Sequence, residues 1–100
     1  MIKHIVMWKL KETAEGLTKD QIAGKIKTDL EALVPVIPAI GQLEVGINII
    51  PSDAAFDVAL YSEFASQADL QTYMTHPAHQ AVVGFVRNVV TARHVVDYEG

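Results

Sequence analysis

The sequence predicts one α+β domain in which an antiparallel sheet carries helices on one face. One hundred residues is the size of a single domain, so we expect residues 1–100 to share one core. Half of the residues are hydrophobic, which is enough for a packed interior. The hydrophobic pattern switches between a period of two, typical of strands, and the longer period of helices.

The first segment, residues 2–11, is predicted to be a strand because apolar and polar residues alternate. One face is apolar except for a single histidine, and it carries Ile2, His4, Val6, Trp8 and Leu10. The opposite face is apolar at its centre and basic at its ends, with Lys3, Ile5, Met7, Lys9 and Lys11. We expect the first face to pack beneath the helices.

A helix and two strands are predicted next. Thr18 and Gln21 have the spacing of a capping box, and helical apolar spacing follows up to Pro35. The apolar positions of this helix are Ile22, Ile26, Leu30 and Leu33. The second strand carries Leu43, Val45, Ile47 and Ile49 on one face. After a turn at residues 51–53, the third strand alternates through Phe56, Val58, Leu60, Ser62 and Phe64.

The last third of the chain predicts a broken helix and a final strand. Ser66 begins one helix, and Pro77 begins a second, because proline is tolerated in the first turn of a helix but not in its interior. The stripe of this second part is His79, Val82, Val83, Val86 and Val90. Residues 91–98 are rich in β-branched side chains. The resulting order, β-α-β-β-α-β, is the ferredoxin-like arrangement.

The face of the sheet away from the helices is predicted to be apolar. It would carry Ile5, Met7, Ala59 and Tyr61. A second copy of the sheet is the simplest cover for such a face, so we expect a homodimer in which two sheets pack back to back. The alternative is an ordinary sheet face in contact with water.

Composition argues against several classes of partner. The net charge is −4 and no cluster of Lys or Arg exists, so we expect no nucleic acid partner. Without cysteine there is no disulfide and no zinc–thiolate site. No apolar run is long enough to span a membrane, and the first residues alternate unlike a signal peptide, so we expect a cytoplasmic protein without a membrane partner.

Three side chains are candidates for chemistry. His4 on the first strand and His79 on the last helix both lie on predicted buried faces that should meet, and Tyr73 should point the same way. An imidazole in an apolar cavity can transfer a proton near neutral pH, and a phenol can orient it. The alternative is that each is a core residue with its polar atoms satisfied.

Other residues receive weaker assignments. Four apolar side chains could line a ligand pocket or simply pack in the core: Trp8, Val58, Val82 and Phe85. His76 precedes Pro77, so we expect it to be extended or to cap a helix. The face of His94 is left open. His76 and His79 lack a third ligand, so we expect no metal, and without a Gly-rich phosphate loop we expect no cofactor.

Three stretches of the sequence resemble a known family. Residues 1–11, with the sequence MIKHIVMWKLK, and residues 73–79, with the sequence YMTHPAH, are similar to stress-responsive dimeric A/B-barrel (Dabb) proteins. The closing residues 95–98 are also similar. The resemblance implies a ferredoxin-like fold whose sheets pair into a barrel in a homodimer. It also implies an active-site histidine at His4, a base at His79 and a supporting tyrosine at Tyr73, as in a plant cyclase of the family. A further pocket histidine of that cyclase is replaced here by Val58.

Three functions remain open at this point. In the first, His79 is the base, Tyr73 orients it and His4 stabilises an enolate, in cofactor-free acid–base chemistry on a small hydrophobic carbonyl compound. In the second, the chain is a non-catalytic stress protein or a small-ligand-binding protein. In the third, it is a monooxygenase of the antibiotic-biosynthesis type.

Overall fold

The computed structural model describes all 100 residues. The strands are β1 (Ile2–Leu10), β2 (Thr13–Ala14), β3 (Leu17–Thr18), β4 (Gln42–Ile47), β5 (Val58–Phe64) and β6 (Val90–Glu99). The helices are α1 (Lys19–Glu31), α2 (Gln67–Thr75) and α3 (Pro77–Val89). Four strands form an antiparallel sheet in the order β4-β5-β1-β6, which confirms the predicted ferredoxin-like fold. The short β2–β3 hairpin was not predicted.

Helix α1 begins where the capping box predicted. The backbone N–H of Gln21 donates to Thr18 Oγ1 at 3.3 Å, and the N–H of Thr18 donates to Gln21 Oε1 at 3.0 Å. These two bonds satisfy donors that the first turn of a helix cannot use internally. The buried side of α1 consists of Ile22, Ala23, Ile26 and Leu30. The helix ends at Glu31, several residues before the proline, and turns carry the chain on to β4.

Strand β1 lies at the centre of the sheet, between β5 and β6. Its predicted helix-facing side is buried along its whole length, at Ile2, His4, Val6, Trp8 and Leu10. The other side is more open, and Met7 is 41% exposed. The period of two in the sequence therefore assigned the faces of this strand correctly.

Two strand boundaries differ from the sequence prediction by two residues, and Val90, which was predicted on the last helix, begins β6. β4 ends at Ile47, so Ile49 lies outside it and is 87% exposed. β5 begins at Val58, which leaves Phe56 in the preceding loop. The loop closes through a backbone bond from Asn48 N–H to the Asp57 carbonyl at 2.9 Å. Pro51 within it has no N–H for a strand ladder, which is one reason why the strands stop here.

The face of the sheet opposite the helices has an apolar centre and is uncovered within one chain. Val96 and Tyr98 of β6 lie on it and are 52% and 44% exposed. His94 also belongs to this face, with its ring centroid 5.1 Å from that of Phe56.

None of the three helices has the length and apolar character that crossing a bilayer requires.

Candidate active site

A cavity of about 450 Å³ lies between the helices and the sheet, within the size range of small-molecule sites. Ten of its fifteen lining residues are hydrophobic. The lining from the strands and α1 is His4, Val6, Trp8, Leu30, Leu60, Val90 and Arg93; that from α2 and α3 is Tyr73, Met74, His79, Gln80, Val82, Val83, Val86 and Arg87. All three predicted chemical residues therefore meet at one cavity.

His79 is positioned by the break between α2 and α3. Pro77 occupies the first turn of α3, and His76 Nδ1 caps that helix by accepting from the Ala78 N–H at 3.1 Å. This geometry places His79 Nδ1 at 3.1 Å from the Met74 carbonyl oxygen. A carbonyl can only accept, so Nδ1 carries the proton and Nε2 is left as an unprotonated acceptor. Burial lowers the pKa of His79, which keeps the ring neutral near pH 7.

Tyr73 lies beside His79 and close to His4. Its ring centroid is 4.3 Å from that of His79 and 6.3 Å from that of His4. The side chain is fully buried, and its hydroxyl has no hydrogen-bond partner. Burial raises the pKa of Tyr73, so the phenol stays protonated. The bond that orients His79 thus comes from the Met74 carbonyl, whereas Tyr73 contacts the imidazole through its ring.

His4 is held by a residue that the sequence did not single out. Strand register places Asp97 of β6 directly beside His4, and the Asp97 carboxylate hydrogen-bonds to His4 Nδ1. His4 is 3% exposed, whereas the Asp97 side chain is 45% exposed. A carboxylate on Nδ1 fixes the tautomer that leaves Nε2 free, as in hydrolase triads. Pairing β6 with β1 in antiparallel register would have revealed this contact from the sequence.

The four predicted pocket residues separate into two groups. Trp8 and Val82 line the cavity, and the indole nitrogen of Trp8 is buried without a partner. Val58 and Phe85 lie outside the lining. Val58 is 2% exposed within the core, and the Phe85 ring has the Lys25 ammonium 4.8 Å from its centroid. We therefore leave these last two residues out of the candidate site.

The remaining histidines do not join this site. His76 caps α3, as predicted, and His94 is on the opposite face of the sheet. The structure brings together no group of three or more His, Asp or Glu side chains suited to a metal ion.

Comparison with known proteins agrees with the fold. The chain is 32% identical to the uncharacterized protein SCO4036 of Streptomyces coelicolor over 102 residues, covering 99% of each chain. A dimeric protein of unknown function with a ferredoxin-like fold from Bacteroides fragilis superposes with a TM-score of 0.85 at 34% identity, covering 99% of this chain and 95% of that one.

The hydroxynitrile lyase of Passiflora edulis is similar in fold, with a TM-score of 0.80 at 22% identity, over 97% of this chain and 90% of the lyase. The model of the stress-responsive A/B barrel domain family matches residues 2–100. Together with the ferredoxin-like sheet and the cavity beneath its helices, this match shows that the chain belongs to the stress-responsive A/B barrel domain family.

Proposed function

We propose that this chain is an enzyme that transfers protons on a small hydrophobic carbonyl compound, using its own side chains as acid and base. One observation carries the proposal. A neutral, oriented imidazole at His79 lies at a cavity lined in part by Trp8 and Tyr73, whose indole N–H and phenol O–H are buried without partners. A buried polar group without a partner costs about 1–3 kcal/mol, so a ligand that supplies an acceptor would recover stability.

His79 is the base in this proposal. Its Nδ1–H is held by the Met74 carbonyl, so Nε2 is available to remove a proton from the carbon next to a substrate carbonyl. The low pKa that burial gives the ring keeps it unprotonated at neutral pH, which a base requires. The mostly apolar lining disfavours water that would otherwise compete for Nε2.

The charge that develops on the substrate oxygen needs hydrogen-bond donors. The Tyr73 hydroxyl is protonated and unpaired, and the ring that carries it lies beside that of His79 and close to that of His4. His4, with its tautomer fixed by Asp97, can return a proton from its other nitrogen once that nitrogen is protonated. In serine proteases, one donor placed on a developing oxyanion contributes about 3–4 kcal/mol.

Catalysis on this fold has support from a structural neighbour. The Passiflora edulis protein is a hydroxynitrile lyase, so the architecture can hold a catalytic site, although at 22% identity the likeness concerns the fold alone. We propose that the chain acts as a homodimer, as the Bacteroides fragilis protein is described. The uncovered apolar face that includes Met7 and Val96 supports this, and sedimentation at micromolar concentration tests it.

A non-catalytic binding protein is the second candidate, because the cavity wall is mostly apolar. The test that separates the two functions is proton exchange in D₂O. The protein is incubated with small aryl and alkyl ketones, and loss of the α-proton signal is followed by NMR. An enzyme accelerates exchange above the buffer rate, whereas a binding protein does not.

Two variants make the test specific. His79→Asn removes the proposed base and should return exchange to the buffer rate. His76→Asn is the matched control, because it removes an imidazole only three residues away while Asn preserves the helix cap. Equal exchange by the wild type and His79→Asn would overturn the proposal, provided that circular dichroism shows both to be folded.

A further inference from the structure

We propose that the ligand of this cavity carries a carboxylate, which Arg87 and Arg93 bind at the rim. The inference rests on the proposed function in one respect only, namely that the cavity receives a small molecule. It narrows the substrate from a hydrophobic carbonyl compound to a hydrophobic carboxylic acid that contains a carbonyl group.

The distribution of arginine in the chain is the first observation. The sequence contains two arginines, Arg87 and Arg93, and both line this cavity. They come from different elements, α3 and β6, so the fold rather than local sequence brings them to the same rim. The six lysines lie outside the lining.

The second observation is that both guanidinium groups are unpaired. Neither forms an ion pair or a hydrogen bond within the chain, and both side chains are exposed. The five ion pairs of the chain use lysine or histidine instead. No Asp or Glu belongs to the lining, so the cavity mouth has two positive charges in a chain with a net charge of −4.

The position of Arg93 links the rim to the chemistry. Strand register places Arg93 beside Trp8, on the same face of the sheet as His4. Burial is the largest cause of the lowered pKa of His79. Electrostatic repulsion from His4, and then from Arg93, lowers this pKa further. A ligand anchored at Arg93 can therefore extend from the rim past Trp8 toward the two imidazoles.

The chemistry of the rim favours a carboxylate. A guanidinium offers parallel N–H donors that match the two oxygens of a carboxylate. A phosphate would also bind arginine, but its larger charge is usually met by backbone N–H groups of a Gly-rich loop, and the cavity has none. The apolar lining suits the hydrocarbon part of such an acid.

The experiment compares acids with their primary amides, which have nearly the same shape but no charge. The probes are 4-phenylbutanoate and octanoate with their amides, and binding is measured by calorimetry and by tryptophan fluorescence. Fluorescence reports on the cavity because Trp8 is the single tryptophan of the chain. We expect each acid to bind the wild type at least about tenfold more tightly than its amide, with the preference shrinking in high salt.

Two double variants test whether the arginines cause the preference for acids over amides. The double variant Arg87→Gln/Arg93→Gln should bind acid and amide equally. The double variant Lys11→Gln/Lys25→Gln, an equal change of charge outside the lining, should retain the preference. Three results would overturn the inference: no preference for acids in the wild type, an equal loss of that preference in Lys11→Gln/Lys25→Gln, or no binding of either acid at millimolar concentration. If the protein catalyses proton exchange of ketones but does not prefer acids to amides, only this inference is refuted. If it prefers acids but does not catalyse exchange, only the proposal that it is an enzyme is refuted.

Discussion

Replacing Tyr73 by phenylalanine should stabilise the fold while it weakens the proposed catalysis. The Tyr73 side chain is fully buried, and its hydroxyl has no partner, so the folded protein has lost the hydration of this group without compensation. Such a group costs about 1–3 kcal/mol. A hydrogen-bond donor that is satisfied only when a ligand binds can impose this cost on the free protein.

The change in the free energy of unfolding caused by Tyr73→Phe has two contributions. Removing the hydroxyl recovers at least about 1 kcal/mol of lost hydration. The void left by one oxygen, roughly 10 Å³, costs about 0.2 kcal/mol at about 24 cal/mol per Å³. The net stabilisation is therefore about 1 kcal/mol, which raises Tm by about 4–8 °C in a domain of this size.

Thermal unfolding at fixed protein concentration measures this effect, since dimer formation would make Tm depend on concentration. Tyr61→Phe is the matched control, because the Tyr61 hydroxyl donates to Glu63 Oε2 at 2.6 Å and its removal should not stabilise. That bond is also the main reason why the pKa of Tyr61 is raised to about 12. If Tyr73→Phe lowered Tm as much as Tyr61→Phe or more, the hydroxyl would have a partner in the free protein, and the reasoning would be refuted.

Three further predictions follow from the same contacts. Burial lowers the pKa of His79 below the 6.5 that is usual for histidine, so the unfolded chain binds more protons just below that pH. The free energy of unfolding should therefore fall as the pH decreases from 6.5 toward the pKa of His79 in the folded protein. Urea titrations at several pH values should show a weaker pH dependence for His79→Gln. An unchanged pH dependence would contradict the lowered pKa of His79. Asp97→Asn should slow ketone exchange at least about tenfold, because His4 loses its orienting carboxylate. Tm should change little, because the Asp97 side chain is half-exposed. An unaltered exchange rate would show that Asp97 has no part in the mechanism. Thr18→Ala should lower the free energy of unfolding by about 1 kcal/mol through loss of the α1 cap, and a urea titration that shows no loss would count against that cap.

The sequence predicted the fold well because local signals decided it. Alternation in β1 assigned its two faces, the Thr18 capping box located α1, and Pro77 located the break between α2 and α3. The ends of β4 and β5 were less accurate, because apolar residues such as Ile49 continue the alternating pattern into a loop that includes Pro51.

The candidate site could be predicted only where one periodic pattern carried it. His4 and His79 were identified because each interrupts an apolar face. Asp97 and the two rim arginines were missed, since their importance depends on strand register and on where a helix meets the sheet. Phe85 was placed at the pocket because it is apolar, and Val58 because it occupies the position of a pocket histidine in the related cyclase. Neither reason distinguishes the wall of a cavity from the core behind it.

The central claim is that His79 is a neutral base whose Nε2 is free at the cavity. Long-range ¹H–¹⁵N NMR of the imidazoles tests this directly, with a His79→Asn sample for assignment. We predict that at pH 7 His79 has its proton on Nδ1, and that its Nε2 resonance shifts when 4-phenylbutanoate is added. A proton on Nε2, a charged ring at pH 7, or an Nε2 resonance unmoved by a bound probe would contradict the claim.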